Sequence, residues 1–137
     1  LDGAGRRSIY LAMRRNFRAP LLAAFDQPQP FAPIAVRNRS NVPAQALALA
    51  NDPFVHTMAA AFAERVLADG GDDDAVLARA CTLAFARAPR DDERQRAVAF
   101  LREATAATGP ADAAARLAAW TDLVHALLQT SEFRFRR

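Results

Sequence analysis

The chain of 137 residues contains no lysine; all eighteen of its basic side chains are arginine. It holds one cysteine, one tryptophan, one tyrosine and two histidines. A lone Cys81 excludes an internal disulfide, a CxxC redox pair and a CxxCH attachment motif. Its apolar flanks make it a small core residue rather than a reactive thiol. With only His56 and His125 and no HExxH, no zinc site is expected and no metal ligand is assigned. No Gly-rich phosphate loop and no GxSxG elbow occurs, and no catalytic residue is assigned. There is no signal-peptide pattern and no apolar run long enough to cross a bilayer.

What is present favours helix. Alanine makes up about a quarter of the chain, and β-branched residues are few. Half of the residues are apolar, a globular profile, and a chain of this length fits one domain, 1–137, that buries roughly two thirds of its unfolded surface. Residues 1–7 read as a linker or truncated lead-in. Leu1 in place of Met and the abrupt end at Arg137 lead to the expectation of a piece of a longer protein. The net charge of +3 is uneven: residues 1–50 carry +5 and residues 51–137 carry −2. That asymmetry points the leading segment at an acidic partner or an acidic surface of its own parent. A coding bias toward Ala and Arg accounts for the arginines as readily as anion binding does.

The periodicities predict an all-α, compact helical bundle of five to seven helices, with a long Pro/Arg-rich irregular segment near residues 27–43. The first helix is expected over 8–15 with Ser8 as cap, and a brief one from Pro20 to Phe25, stopped near Asp26. A short helix follows over 43–50. The next runs over 53–68, with Phe54, Met58, Phe62 and Val66 spaced four apart. Gly70-Gly71 ends it, and Asp72-Asp73-Asp74 opens a helix to about Arg87 that buries Val76, Ala80, Leu83 and Ala84. After Ala88-Pro89 a helix from Asp91 to about Ala107 turns Ala97, Val98, Leu101 and Ala104 inward. The last, from about Asp112 to Gln129, carries the stripe Leu117, Trp120, Val124, Leu127 and Leu128. Ser131-Glu132-Phe133 leads into Arg134-Phe135-Arg136-Arg137, which reads as a fraying or truncated end.

The densest local signal is the run from Gln45 to Val55. Asp52 can accept from the free N–H groups of the next turn, and Pro53 suits the first helical position. Gln45 and Asn51 are amides in an apolar run and need partners if buried.

Three segments together resemble a known family. They are Arg6-Arg7-Ser8-Ile9-Tyr10-Leu11 with Arg14-Arg15-Asn16-Phe17, then Gln45 to Val55, and finally Ala126 to Phe133. Phe25-Asp26 and the stretch from Leu83 through Pro89 to Glu93 lie between them. The pattern is similar to the planctomycete-specific domain one family, a C-terminal domain of unknown function. The resemblance implies a large exported bacterial parent, often with a cytochrome-c-like domain, so any haem belongs elsewhere in that parent and no cofactor is expected in this chain. It also implies a periplasmic or cell-surface setting tied to polysaccharide utilisation. No activity or catalytic residue comes with the family. Relatives often have a cysteine in the loop before the position of Arg37, absent here, and a threonine cap where this chain has Arg90; Asp91 is expected to cap instead.

The ligand or interface candidates are Arg6, Arg7, Arg14, Arg15, Arg37 and Arg39 with Tyr10, joined by Gln45, Asn51 and Asp52 at the hinge. On a continuous helix Arg7, Tyr10 and Arg14 share one face, able to hold a sulfate, a sugar carboxylate or a phosphate through guanidinium forks. The plainer reading pairs these arginines with acids of an upstream domain of the same polypeptide. The two histidines read as solvated or hydrogen-bonded imidazoles. Glu64, Glu93, Glu103 and Glu132 are scattered over the helices and suggest no acid/base pair. Nucleic acid is not an expected partner, since the later helices alternate charge sign. The expected role is a non-catalytic module that docks on neighbouring domains, with a contribution to binding an anionic carbohydrate. The alternative is that the arginine arm and Asn51-Asp52 complete an active site for polysaccharide breakdown with an upstream domain.

Overall fold

A computed structural model describes residues 7–13, 18–29, 31, 33, 35, 43–106 and 112–135. Among these residues the fold is all-α, with seven α-helices and no strand. The chain divides into two compact units, Leu1–Phe54 and Val55–Arg137.

In the first unit, Ser8–Tyr10 forms a single 3-10 turn, and Leu11 is already extended at φ −78° and ψ 134°. The helix expected over 8–15 therefore does not form across residues 8–13. Arg7, not Ser8, takes the capping position, and no side chain caps it. The physical cause is a short run with no buried face: Ile9 is 81% exposed and Tyr10 71% exposed, so nothing offsets the cost of helix nucleation. Helix α1, Pro20–Ala24, opens on proline as expected and is closed by Asp26 in the left-handed region at φ 57°. Helix α2, Pro43–Asn51, packs against α1. Of the irregular stretch near 27–43, residues 27–29, 31, 33 and 35 are described and not helical, and Pro43 already opens α2.

Helix α3, Pro53–Ala68, begins where Asp52 Oδ1 accepts the Phe54 N–H at 2.9 Å. Its buried face is Val55, Ala59, Ala63 and Val66. Of the expected stripe Val66 is buried, whereas Phe54 and Phe62 are half-buried and Met58 is exposed; they flank a face whose small Ala59 and Ala63 permit close packing. Gly70 and Gly71, at φ 67° and 102°, turn the chain. Arg79 then donates to the Val66 carbonyl (2.8 and 3.2 Å) and to that of Gly70, satisfying the open end of α3 with a cation where the helix dipole favours one.

Helix α4, Asp73–Phe85, is capped by Asp72, whose carboxylate accepts the Ala75 N–H at 2.9 Å. Asp72→Ala is expected to cost about 1 kcal/mol, read as a lower urea midpoint with an unchanged m-value. Val76, Leu77, Ala80 and Cys81 are buried. Leu83, expected inside, is 51% exposed, and the helix stops at Phe85 rather than Arg87 because Ala86 adopts the left-handed conformation (φ 58°). Helix α5, Asp91–Ala104, has its cap at Arg90, one residue before the expected Asp91. Glu93 reaches back to accept the Arg90 N–H at 2.8 Å, the carboxylate half of a capping box, which removes the need for a capping side chain at 90. Ala97 and Leu101 face the core, while Val98 is half-buried and Ala104 exposed.

Helix α6, Ala113–Gln129, is capped by Asp112, which accepts from Ala114 and Ala115. It buries Ala119, Trp120, Val124, His125 and Leu128, leaving Leu117 and Leu127 half-buried. The lead-in to the expected fraying end forms a helix, α7, Ser131–Arg134, capped by Thr130 and packed on α6 and α4. The core of the second unit sits where α4 meets α5 and α6, with Trp120 fully enclosed.

Candidate functional site

The candidate residues group into three places. Arg7, Ser8, Ile9 and Tyr10 line an open hollow of about 510 Å³ in the first unit. Arg7 and Arg18 make no ion pair with a described residue, whereas the ion pairs between described residues join positions 69 to 132. Arg6, Arg14, Arg15, Arg37 and Arg39 lie outside the described residues. The single helical face expected to present Arg7, Tyr10 and Arg14 is not available, because Leu11 breaks the turn.

At the hinge the three polar residues have local tasks. Gln45 is buried at 5% exposure, as an amide in an apolar run requires partners to allow. Asn51 Nδ2 donates to the Leu47 carbonyl at 2.9 Å, closing the last turn of α2. Asp52 caps α3 and its own N–H donates to the Ala48 carbonyl at 3.0 Å. These bonds close the end of α2 and open the first turn of α3. They also engage Asn51 and Asp52 with backbone, so an oxygen of Asp52 already has its partner.

The third place was not anticipated. Arg87, just past the end of α4, donates from Nε and Nη2 to both oxygens of Glu132 at 2.7 Å. It also donates from Nη1 and Nη2 to both oxygens of Glu93 at 2.8 Å. Nη1 reaches the Ala88 carbonyl as well, at 2.9 Å, and the guanidinium lies 5.3 Å from the centre of the Phe85 ring. One planar fork thus binds two carboxylates bidentately and ties α4, α5 and α7 together. The Arg87 hydrogen bonds hold the Glu93 carboxyl down at about 2 and lower that of Glu132. Both glutamates in turn raise the already basic Arg87. The two acids expected to stand apart are therefore brought together, but a general acid needs a carboxyl raised toward neutrality, and these are pushed the other way. Nearby Cys81 is buried, and burial, then the Glu93 charge, push its thiol up, away from the nucleophilic form.

The two histidines also meet. The His56 ring on α3 and the His125 ring on α6 have centres 4.0 Å apart, tilted by 41°. His125 is 8% exposed and hydrogen-bonded, which fits one of the two states expected for it; His56 is exposed. Sequence reading missed this pair because the partners are far apart along the chain. The one available signal was that His125 adjoins the Val124–Leu128 stripe.

Among the described residues there is no group of three or more His, Cys, Asp or Glu able to hold a metal ion, and no helix long and apolar enough to cross a membrane. The model of a family described as PSD1, protein of unknown function (DUF1553), matches residues 2–101. The chain belongs to this family. The matched range holds the leading segment, the hinge and the Arg87–Glu93 pair. The last segment carrying the resemblance, Ala126 to Phe133 with Glu132, lies beyond it. No curated protein and no solved structure matches the chain.

Proposed function

We propose that this DUF1553 domain is a non-catalytic helical module at the C-terminal end of a larger exported bacterial protein, where it docks on neighbouring domains of the same polypeptide. The observation that carries the reading is the surface of the leading segment. Ile9, Tyr10 and Met13 are exposed, as is Arg7, and Arg7 makes no ion pair with a described residue. Large apolar and aromatic side chains mixed with arginine are the composition of an interface core. Planctomycete origin, a periplasmic or cell-surface setting, and a cytochrome-c-like domain as the place for any haem belong to the same proposal. They rest on the resemblance rather than on geometry.

A second reading has its own support. Arg7 and Tyr10 line an open hollow, and an anionic sugar could lay its ring on Tyr10 while Arg7 holds a sulfate or carboxylate. In the fuller version of that reading, the arm completes an active site for polysaccharide breakdown with an upstream domain. Asn51 and Asp52 contribute less to it than the arginines, since backbone bonds already engage them.

One experiment separates the two. With Arg7→Glu and Tyr10→Ala combined in the full-length parent, docking predicts that limited proteolysis releases this module about tenfold faster, an effect matching roughly 1.4 kcal/mol of lost interface energy. Unchanged release together with lost binding of a sulfated glycan defeats docking and favours the carbohydrate reading.

A further inference from the structure

We infer that a hollow between α3 and α4 is a docking groove for an acidic amphipathic helix of a neighbouring domain in the parent protein. The inference rests on the docking reading for its partner, but it uses none of the leading-segment residues. Arg65 and Asp69 border the hollow from the end of α3, and Arg79 and Leu83 from α4, around about 380 Å³. Each pair is four residues apart and so forms a ridge, and the furrow between two such ridges is the shape into which a third helix packs. Val66 and Ala78 also line it and supply an apolar floor.

Two observations describe the occupant. The spacing of Val76, Ala80 and Leu83 is that of a core stripe, and the first two are buried, yet Leu83 is 51% exposed at the hollow. A partner's apolar side chain is the natural cover for it. The second observation is charge. Arg79 commits its donors to the Val66 and Gly70 carbonyls, with Asp69 3.8 Å from its Nε. The Thr82 hydroxyl, also at the hollow, donates to the Ala78 carbonyl at 2.8 Å. Arg65 makes no ion pair with a described residue and remains an uncommitted cation. Two arginines against one aspartate leave the hollow net positive, although residues 51–137 as a whole are net negative. A helix that sets an apolar side chain on Leu83 and, one turn away, a carboxylate on the Arg65 fork satisfies both.

Photo-crosslinking in the full-length parent, with Leu83 replaced by p-benzoylphenylalanine, tests this. Irradiation and mass spectrometry are expected to join position 83 to a helical segment of a neighbouring domain that has Asp or Glu within one turn of the joined residue. Arg65→Glu is expected to cut the yield about tenfold. Arg65 is exposed, so that variant keeps the helical circular dichroism spectrum of the parent. No crosslink, a joined segment without an acid, a crosslink to a second copy, or an unchanged yield in Arg65→Glu each overturns the groove. Its failure is distinguishable from that of the leading segment. Faster release of the Arg7→Glu, Tyr10→Ala module with no crosslink at 83 removes the groove and leaves the docking reading standing. An acid-flanked crosslink beside unchanged release keeps the groove and removes the leading segment as a docking surface.

Discussion

Trp120→Ala is expected to destabilise the chain by about 3–5 kcal/mol, the largest loss available from a single core position. Trp120 has no exposed surface and is the largest fully buried side chain of the second unit. Truncation removes the transfer energy of the indole and leaves a void between α6 and its neighbours that a close-packed interior fills only in part. It also removes the Nε1 donor that reaches Asp73 Oδ1 at 3.3 Å, where Arg116 Nη2 donates as well at 2.9 Å. Against a total stability of about 5–15 kcal/mol for a domain of this kind, the variant stands near the edge of folding. Far-UV circular dichroism against urea is the suitable measurement, because the only tryptophan of the chain is the one removed. Trp120→Phe retains most of the ring and abolishes the donor, and is expected to cost about 1–2 kcal/mol. If the two variants lost equal stability, the Asp73 contact rather than packing would carry the effect.

The features that were legible in sequence are those whose chemistry is local. Asp52 before Pro53, Asp72 before an acidic first turn, and Gly70-Gly71 each act within one turn of backbone, so residue type and spacing suffice to place them. Which face of each helix turns inward was less legible. On α3 the large residues suggest one stripe, but of it only Val66 is buried, and the rest of the face is Val55, Ala59 and Ala63, each one position along, since close packing rewards small side chains. The leading helix is missing across residues 8–13 for the complementary reason: the pattern was present, yet none of those residues is buried and only a 3-10 turn forms. Contacts between distant positions could not be read at all. His56 with His125, and Arg87 with Glu132, depend on how three or more helices are arranged, and no spacing within a window encodes that. Of the candidate residues, Asn51 and Asp52 hydrogen-bond to backbone at the end of α2 and the start of α3, and Gln45 is buried in α2. Arg7 and Tyr10 keep an open surface.

Arg87→Ala is expected to cost about 2 kcal/mol at neutral pH and almost nothing near pH 2, where carboxylates no longer need a cation. The side chains of Arg87 and Glu93 are about a quarter exposed, so the figure is well below that for a fully buried pair. The pH dependence follows from the direction of the shifts. Glu93 in the folded chain is held down at about 2 by Arg87, below its ordinary unfolded value, and Glu132 is lowered by the same guanidinium. A carboxylate depressed by folding contributes stability that is complete above its unfolded pKa and disappears as pH falls through its folded one. Wild-type stability should therefore decline from about pH 4.5 downward, flattening near pH 2. In Arg87→Ala the two glutamates face each other with only the exposed Arg90, 3.8 Å from Glu93, as a cation, so protonation relieves repulsion and the same fall in pH costs the variant less. Urea midpoints of both chains at neutral, intermediate and low pH measure the convergence. Arg87→Lys keeps the charge but cannot fork onto two carboxylates, and it should fall between them. A wild-type advantage that stayed constant across the whole range would assign Arg87 to packing over the Phe85 ring. The ionic tie between α4, α5 and α7 would then contribute little.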